Sequence, residues 1–187
     1  MSTNRMNRLW KSFVLESNKY SLQCIFQDSY LDLYRYGLRM VQSPEDVKDA
    51  IQDLFVNLWS YKNSLSEEVK VKPYLLVSLK HQLTRMKARP GFDLLTEDHE
   101  RLLRSQELCE IPDPGLKALV SRKLDDLPAR QKEILYLKYF EALSYEEIAQ
   151  ILDIQYQSVV NQAFRAVSKL RQDKQLSKLA MLRMNWS

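Results

Sequence analysis

Residues 43–59, SPEDVKDAIQDLFVNLW, restrict the architecture of this chain more than any other stretch. Val47, Ala50, Ile51, Leu54, Phe55, Leu58 and Trp59 recur at the i, i+3, i+4, i+7, i+8 spacing that gathers them on one side of an α-helix. Ser43 supplies a cap, Pro44 suits the first helical turn, and Glu45 and Asp46 stand at the positive end of the helix dipole. So wide an apolar stripe needs a helical cover, and the preceding segment offers Phe26, Tyr30, Leu33 and Tyr34. The three Gly and six Pro, set among abundant Leu, Gln, Lys and Glu, agree with helices throughout. No stretch alternates well enough for a sheet. The expected fold class is all-α.

The chain has 187 residues, enough for one domain or two small ones. Pro90-Gly91 and Pro112-Asp113-Pro114-Gly115 are turn signals, and within residues 90–115 seven acids face two Arg. Residues 90–115 therefore read as a flexible acidic linker. It joins a helical domain over 8–89 to a second over 116–173, with a basic tail at 174–187. In the second domain Leu116, Leu119, Val120 and Leu124 mark one helix. Pro128 starts another, with Ile134, Leu135, Leu137 and Phe140 available for packing.

Residues 144–171, SYEEIAQILDIQYQSVVNQAFRAVSKLR, have the form of a helix-turn-helix. Ser144 and Glu147 compose a capping box. Ile148, Ala149 and Leu152 share a face, and Asp153-Ile154-Gln155 breaks the period. The second helix buries Val159, Ala163, Val167 and Leu170 and turns Gln157, Ser158, Asn161, Gln162 and Arg165 the other way. Short amides, a hydroxyl and an Arg on one exposed face are the groups that reach base edges in a major groove. Residues 141–153 hold Glu141, Glu146, Glu147 and Asp153 and no base, whereas 154–171 hold Arg165, Lys169 and Arg171 and no acid. A helix facing phosphate should look like the second stretch. A helical core that touches no DNA is the competing explanation.

A further acid-free stretch lies in the first domain. From Lys70 to Arg89 there are six Lys or Arg. Lys72-Pro73-Tyr74 opens a helix whose buried side is Leu75, Leu76, Leu79, Leu83 and Met86. Tyr74, Ser78, His81 and Arg85 form a polar stripe, with Lys80, Thr84 and Lys87 beside it. Cations that track phosphate, mixed with flat rings, suit opened or single-stranded DNA; the alternative is a solvated cationic face. On the 43–59 helix the polar side is Asp46, Asp49, Gln52, Asp53 and Asn57, a stripe fit either for solvent or for the basic helix of a partner.

Other functions find little support. Net charge is only +4, so the basic residues act by grouping rather than by number. Cys24 and Cys109 stand far apart in a pattern suited to free thiols, without metal-ligand spacing. His81 and His99 have no paired nucleophile, and three glycines cannot make a phosphate loop. No catalytic group, metal or cofactor is expected. The first residues lack the apolar segment of a signal peptide and no run approaches a membrane span, so a cytoplasmic protein is expected.

The order of these parts resembles the bacterial extracytoplasmic-function sigma factors over nearly the whole chain. In SPEDVKDAIQDLFVNLWSY, Ala50, Asp53, Leu54, Phe55, Leu58 and Trp59 fall on that family's polymerase-binding pattern. LDDLPARQKEILYLKYFEALSYEEIAQIL and SVVNQAFRAVSKLR match its second domain. The resemblance implies a non-enzymatic factor that binds core RNA polymerase and promoter DNA, and that an anti-sigma factor restrains. It makes Asp46, Asp49, Gln52, Asp53 and Asn57 the polymerase-docking face. It gives Tyr74, Ser78, Lys80, His81, Arg85 and Lys87 to the opened −10 strand. It sends the helix from Tyr156 into the −35 major groove, where Gln157, Ser158, Asn161 and Gln162 meet bases and Arg165, Lys169 and Arg171 hold phosphate, Arg165 being also within reach of a base. Two departures stand out. His81 occupies a usual Asn position in a helix without the usual acidic-x-x-Arg-Arg ending, and Val160 replaces a frequent Lys or Arg. A conventional helix-turn-helix regulator and a helical protein–protein adaptor are the alternatives.

Overall fold

The computed structural model describes residues 3–86 and 114–171. The linker between them, the tail, Lys87, His99 and Cys109 lie outside the described residues. The chain divides into two compact units, Met1–Glu100 and Arg101–Ser187. The first holds α1 (Thr3–Glu16), α2 (Lys19–Leu38), α3 (Pro44–Ser60), a 3-10 turn at Lys62–Ser64 and α4 (Val71–Met86). The second holds α5 (Pro114–Asp125), α6 (Ala129–Tyr139), α7 (Tyr145–Leu152) and α8 (Tyr156–Arg171). The fold is all-α.

In the first unit α3 forms as its pattern requires. Ser43 Oγ accepts the Asp46 N–H at 3.2 Å, and Val47, Ala50, Ile51, Leu54, Phe55 and Leu58 are buried. Each of these side chains except Ala50 contributes roughly 1.5–3 kcal/mol through apolar burial. Helix α2 supplies the cover: Phe26 meets Phe55 edge-on at 5.0 Å, and Tyr30 and Tyr34 stack at 5.9 Å. Gly37 of α2 is buried against Val47 of α3. A Cβ built there would stand 2.5 Å from Val47 Cγ1, so only glycine lets the helices pass. Trp59 ends the stripe half-buried, its ring stacked near Phe13 with Lys62 Nζ 4.4 Å from its centroid.

Helix α1 has no counterpart among the expected elements. It adds two fully buried rings, Trp10 and Phe13, and Trp10 Nε1 donates to the Ser66 carbonyl at 2.9 Å. Helix α4 buries Leu75, Leu76, Leu79, Leu83 and Met86 as expected but starts at Val71, ahead of Pro73. Pro73 is tolerated there because an N–H in the first turn has no intrahelical acceptor.

In the second unit α6 begins after Pro128 and buries Ile134, Leu135, Tyr136 and Leu137. Phe140 departs from its expected core position. It caps α6 and is 49% exposed, stacked on Tyr136 at 5.6 Å, and Tyr136 takes the interior place. Tyr136 Oη donates to Glu141 Oε1 at 2.6 Å, so Glu141 is buried rather than part of a solvated acidic face. The capping box of α7 is complete: Ser144 Oγ accepts the Glu147 N–H at 3.2 Å and Glu147 Oε2 accepts the Ser144 N–H at 2.8 Å. At its other end Asp153 adopts φ 53°, the left-handed conformation that stops the helix, and Arg130 Nη2 donates to the Leu152 carbonyl at 3.1 Å. The turn into α8 is fixed from both sides.

Candidate nucleic-acid interface

Helix α8 is seated by Val159, Ala163 and Ala166, all buried. Ala166, absent from the expected stripe, joins Leu127 and Leu135 in a cluster that Val167 and Leu170 cover from a half-buried position. Seating the helix this way leaves Gln157, Asn161 and Arg165 exposed on its opposite side. Gln157 Nε2 donates to Asn161 Oδ1 at 3.1 Å, which aligns two amides along the outer face. Ser158 and Gln162 are half-buried flanks of that face, and Tyr156 is exposed at its start. The arrangement offers donors and acceptors together at one helix turn after another, as base-edge reading requires.

The cations are not equivalent. Arg165 is exposed on the outer face. Lys169 is exposed as well, yet its Nζ donates to the Asp126 carbonyl at the end of α5. Arg171 closes α8 beside Tyr139. Burial raises the Tyr139 phenol well above its usual range, Tyr145 adds to the shift, and the charge of Arg171 opposes it. Arg171 is exposed at the end of α8, close enough to Tyr139 for its charge to act on the phenol.

In the first unit an open groove of about 360 Å³ runs between α3 and α4. Tyr74, Ser78, His81 and Arg85, expected on one stripe, all line it. Leu54, Leu58 and Leu65 provide its apolar wall, and Asn57, Tyr61 and Gln82 add polar edges. Asn57 therefore stands with the basic helix as well as with the acidic stripe. Gln82 and the exposed Tyr61 carried no sequence expectation. Gln82 accepts from Arg85 Nη2 at 2.8 Å and donates to Asp53 Oδ2 at 3.1 Å, tying α4 to α3. Helix period alone could have placed Gln82 beside Arg85, three residues on.

Two expectations change. The Tyr74 ring is half-buried and packs edge-on against Trp10 at 5.3 Å, so its face is partly committed to the core. Lys80 is half-buried and does not line the groove, because it projects from another side of α4. On α3, Asp49, Gln52, Asp53 and Asn57 are exposed, whereas Asp46 is half-buried in the first turn, where its charge suits the helix dipole. Among the described residues no helix is long and apolar enough to cross a membrane, and no three His, Cys, Asp or Glu side chains are grouped to hold a metal.

Comparison with known proteins places the helix-turn-helix in a defined group. Residues 117–170 match the family described as sigma-70, region 4. RNA polymerase sigma factor SigV of Bacillus subtilis (strain 168) is 26% identical over 161 residues, covering 83% of this chain and 92% of that protein. The ECF RNA polymerase sigma-E factor of Haemophilus influenzae is 29% identical over 136 residues, covering 66% and 72%. Among solved structures, CnrH in complex with the cytosolic domain of CnrY is similar with a TM-score of 0.57. It is 18% identical and covers 95% of this chain and 99% of that one, a likeness of fold.

Proposed function

This chain belongs to the extracytoplasmic-function sigma factors, and from that premise we propose how its surfaces divide the work of promoter recognition. The chain binds core RNA polymerase and directs initiation at promoters that carry its −35 and −10 elements. It is not an enzyme; in this reading it works in the cytoplasm, where the polymerase is. Helix α8 enters the −35 major groove. Gln157 and Asn161 meet base edges there, Ser158 and Gln162 act from the flanks, and Tyr156 contacts the approach to the groove. Arg165 holds phosphate on the same side, Arg171 adds charge from the end of the helix, and Lys169 is a weaker contributor because the Asp126 carbonyl already engages it.

The groove between α3 and α4 receives the opened −10 strand. Ser78, His81 and Arg85 carry that contact, with Asn57, Tyr61 and Gln82 as added polar edges and Tyr74 presenting only part of its ring. Lys80 supplies positive charge from the same helix, and Lys87, expected to join it, lies outside the described residues. Asp49, Gln52 and Asp53 lead the docking on polymerase. An anti-sigma factor is the further partner implied; the similar CnrH was solved with the cytosolic domain of CnrY.

The observation that carries this reading is the amide-bearing outer face of α8 within a segment that matches sigma-70 region 4. Run-off transcription with purified core polymerase on a library of promoter-sized fragments tests it. Sequence-selective transcripts that depend on this chain are expected. Duplex binding without polymerase-dependent initiation would replace the reading with a conventional regulator.

A further inference from the structure

An opened DNA strand carries a phosphate at every nucleotide, and a groove that holds it needs cations along its wall. Among the described residues that line the groove between α3 and α4, Arg85 alone has a permanent charge. Arg85 is also partly engaged. Its Nη2 donates to Gln82 Oε1 at 2.8 Å, and Gln82 Nε2 donates in turn to Asp53 Oδ2 at 3.1 Å. The other polar groups of the wall, on Asn57, Tyr61, Tyr74 and Ser78, are amide, phenol and hydroxyl. His81 is different in kind. It is exposed, lines the same groove, and stands four residues before Arg85, one helical turn away on the same side of α4. Imidazole is the side chain that changes charge between about pH 5 and 8. The chain has two histidines, and the other, His99, belongs to the linker.

We propose that His81 makes the hold of this groove on the opened −10 strand depend on pH, its imidazolium joining Arg85 as a second cation and taking a phosphate of that strand. The inference rests on the −10 reading of the groove and deepens it. The groups that face His81 set the sign. From α3 come the Asn57 amide and, through Gln82, the Asp53 carboxylate. The turn after α3 brings the Tyr61 phenol. On α4 itself Tyr74 and Ser78 bring a phenol and a hydroxyl, and Arg85 brings a positive charge. No carboxylate lines the groove among the described residues, so a strand phosphate is the anion that answers a positive charge on both His81 and Arg85. Binding the strand therefore favours the proton, and by linkage the proton favours binding to the same degree. Affinity for opened −10 DNA rises as pH falls through the imidazole range and drops as pH rises through it.

The test uses the full chain assembled with core RNA polymerase, and a promoter fragment whose −10 segment is premelted by mismatches. Binding is measured at about pH 6 and about pH 8 over one series of salt concentrations. Whatever the polymerase itself contributes is common to all variants and is read from His81→Asn, whose amide takes up no proton. Beyond that baseline, the unaltered chain should bind about threefold more tightly at the lower pH, the gain of one exposed ion pair. Its slope of log K against log salt should also be steeper there by about 0.7, one further phosphate on a single strand. His81→Lys, a cation at either pH, should show the steeper slope at both. His99→Asn should keep the behaviour of the unaltered chain. Equal pH dependence in His81→Asn and the unaltered chain would overturn the proposal, as would its loss in His99→Asn. In either case the −10 assignment survives if Arg85→Ala weakens binding at both pH values. Undiminished binding of the premelted fragment by Arg85→Ala overturns the −10 assignment itself and this inference with it.

Discussion

Gly37, Arg165 and Lys169 show how differently a side chain acts when packing and charge are read together. Gly37 has no Cβ, and the space it leaves is filled by Val47 Cγ1, 2.5 Å from where that Cβ would be. Both residues are buried in the contact of α2 with α3. Gly37→Ala should therefore force the helices apart and destabilise the first unit by about 1–3 kcal/mol, despite alanine's better helix propensity. Urea denaturation of the variant is the measurement, and Gly37→Ala combined with Val47→Ala should recover much of the loss. Arg165 and Lys169 make the opposite lesson, since both are exposed cations of α8. Lys169 already donates to the Asp126 carbonyl, whereas Arg165 stands on the outer face. In holoenzyme binding to promoter DNA, Arg165→Ala should reduce the slope of log K against log salt by about 1. Lys169→Ala should change that slope less and lower the melting temperature of the second unit instead. Equal slope changes for the two variants would show that Lys169 leaves Asp126 for phosphate.

At the scale of elements, α7 shows what local chemistry achieves. Its eight residues are too few to be helical alone, so its ends matter more than its interior. Ser144 and Glu147 satisfy two donors at one end, while Asp153 and Arg130 close the other. Ser144→Ala should cost about 1 kcal/mol in the stability of the second unit. Because the same turn aims α8, sequence-selective −35 binding should fall with it; circular dichroism melts and promoter titration check the two effects. The cap was legible in the sequence because it depends on residues three apart, and the stripe of α3 was legible for the same local reason. Trp10 and Phe13 were not, because the groups that meet them, Ser66, Tyr74 and Trp59, are remote in sequence. Phe140 was misplaced because periodicity does not reveal where a helix stops; one residue past the end of α6, it turns outward and Tyr136 goes in. In the candidate DNA-binding surfaces the amides of α8 could be read from their spacing. Tyr61 could not, since its place in the groove with His81 depends on how α3 meets α4, and neither could the hydrogen bond from Gln82 to Asp53.

For the whole molecule, a net charge of +4 conceals a separation of charge by surface. Acidic side chains lie along the exposed side of α3, cations occupy α4, and Arg165 stands on the outer face of α8. A factor that must attach to a protein and to DNA at once gains from this division, because each partner is drawn to a different surface and wrong pairings are disfavoured. The separation is testable through Asp49 and Asp53, both exposed on α3. Asp49→Arg removes an acid without touching the groove, whereas Asp53→Arg also removes the acceptor of Gln82 Nε2. Surface substitutions of this kind alter folding by about 0.5 kcal/mol or less. Reversing a charge in an electrostatically matched interface instead slows encounter and costs several kcal/mol against the original partner. Asp49→Arg should therefore lower core polymerase affinity at least tenfold with an unchanged denaturation midpoint. Asp53→Arg should do the same and in addition weaken −10 binding, because Arg85 loses the support that Gln82 relays from α3. Pull-down titration with core polymerase, beside strand-opening measured on a premelted −10 template, separates the two effects. Undiminished polymerase affinity in both variants would transfer docking from this stripe to another face of the first unit.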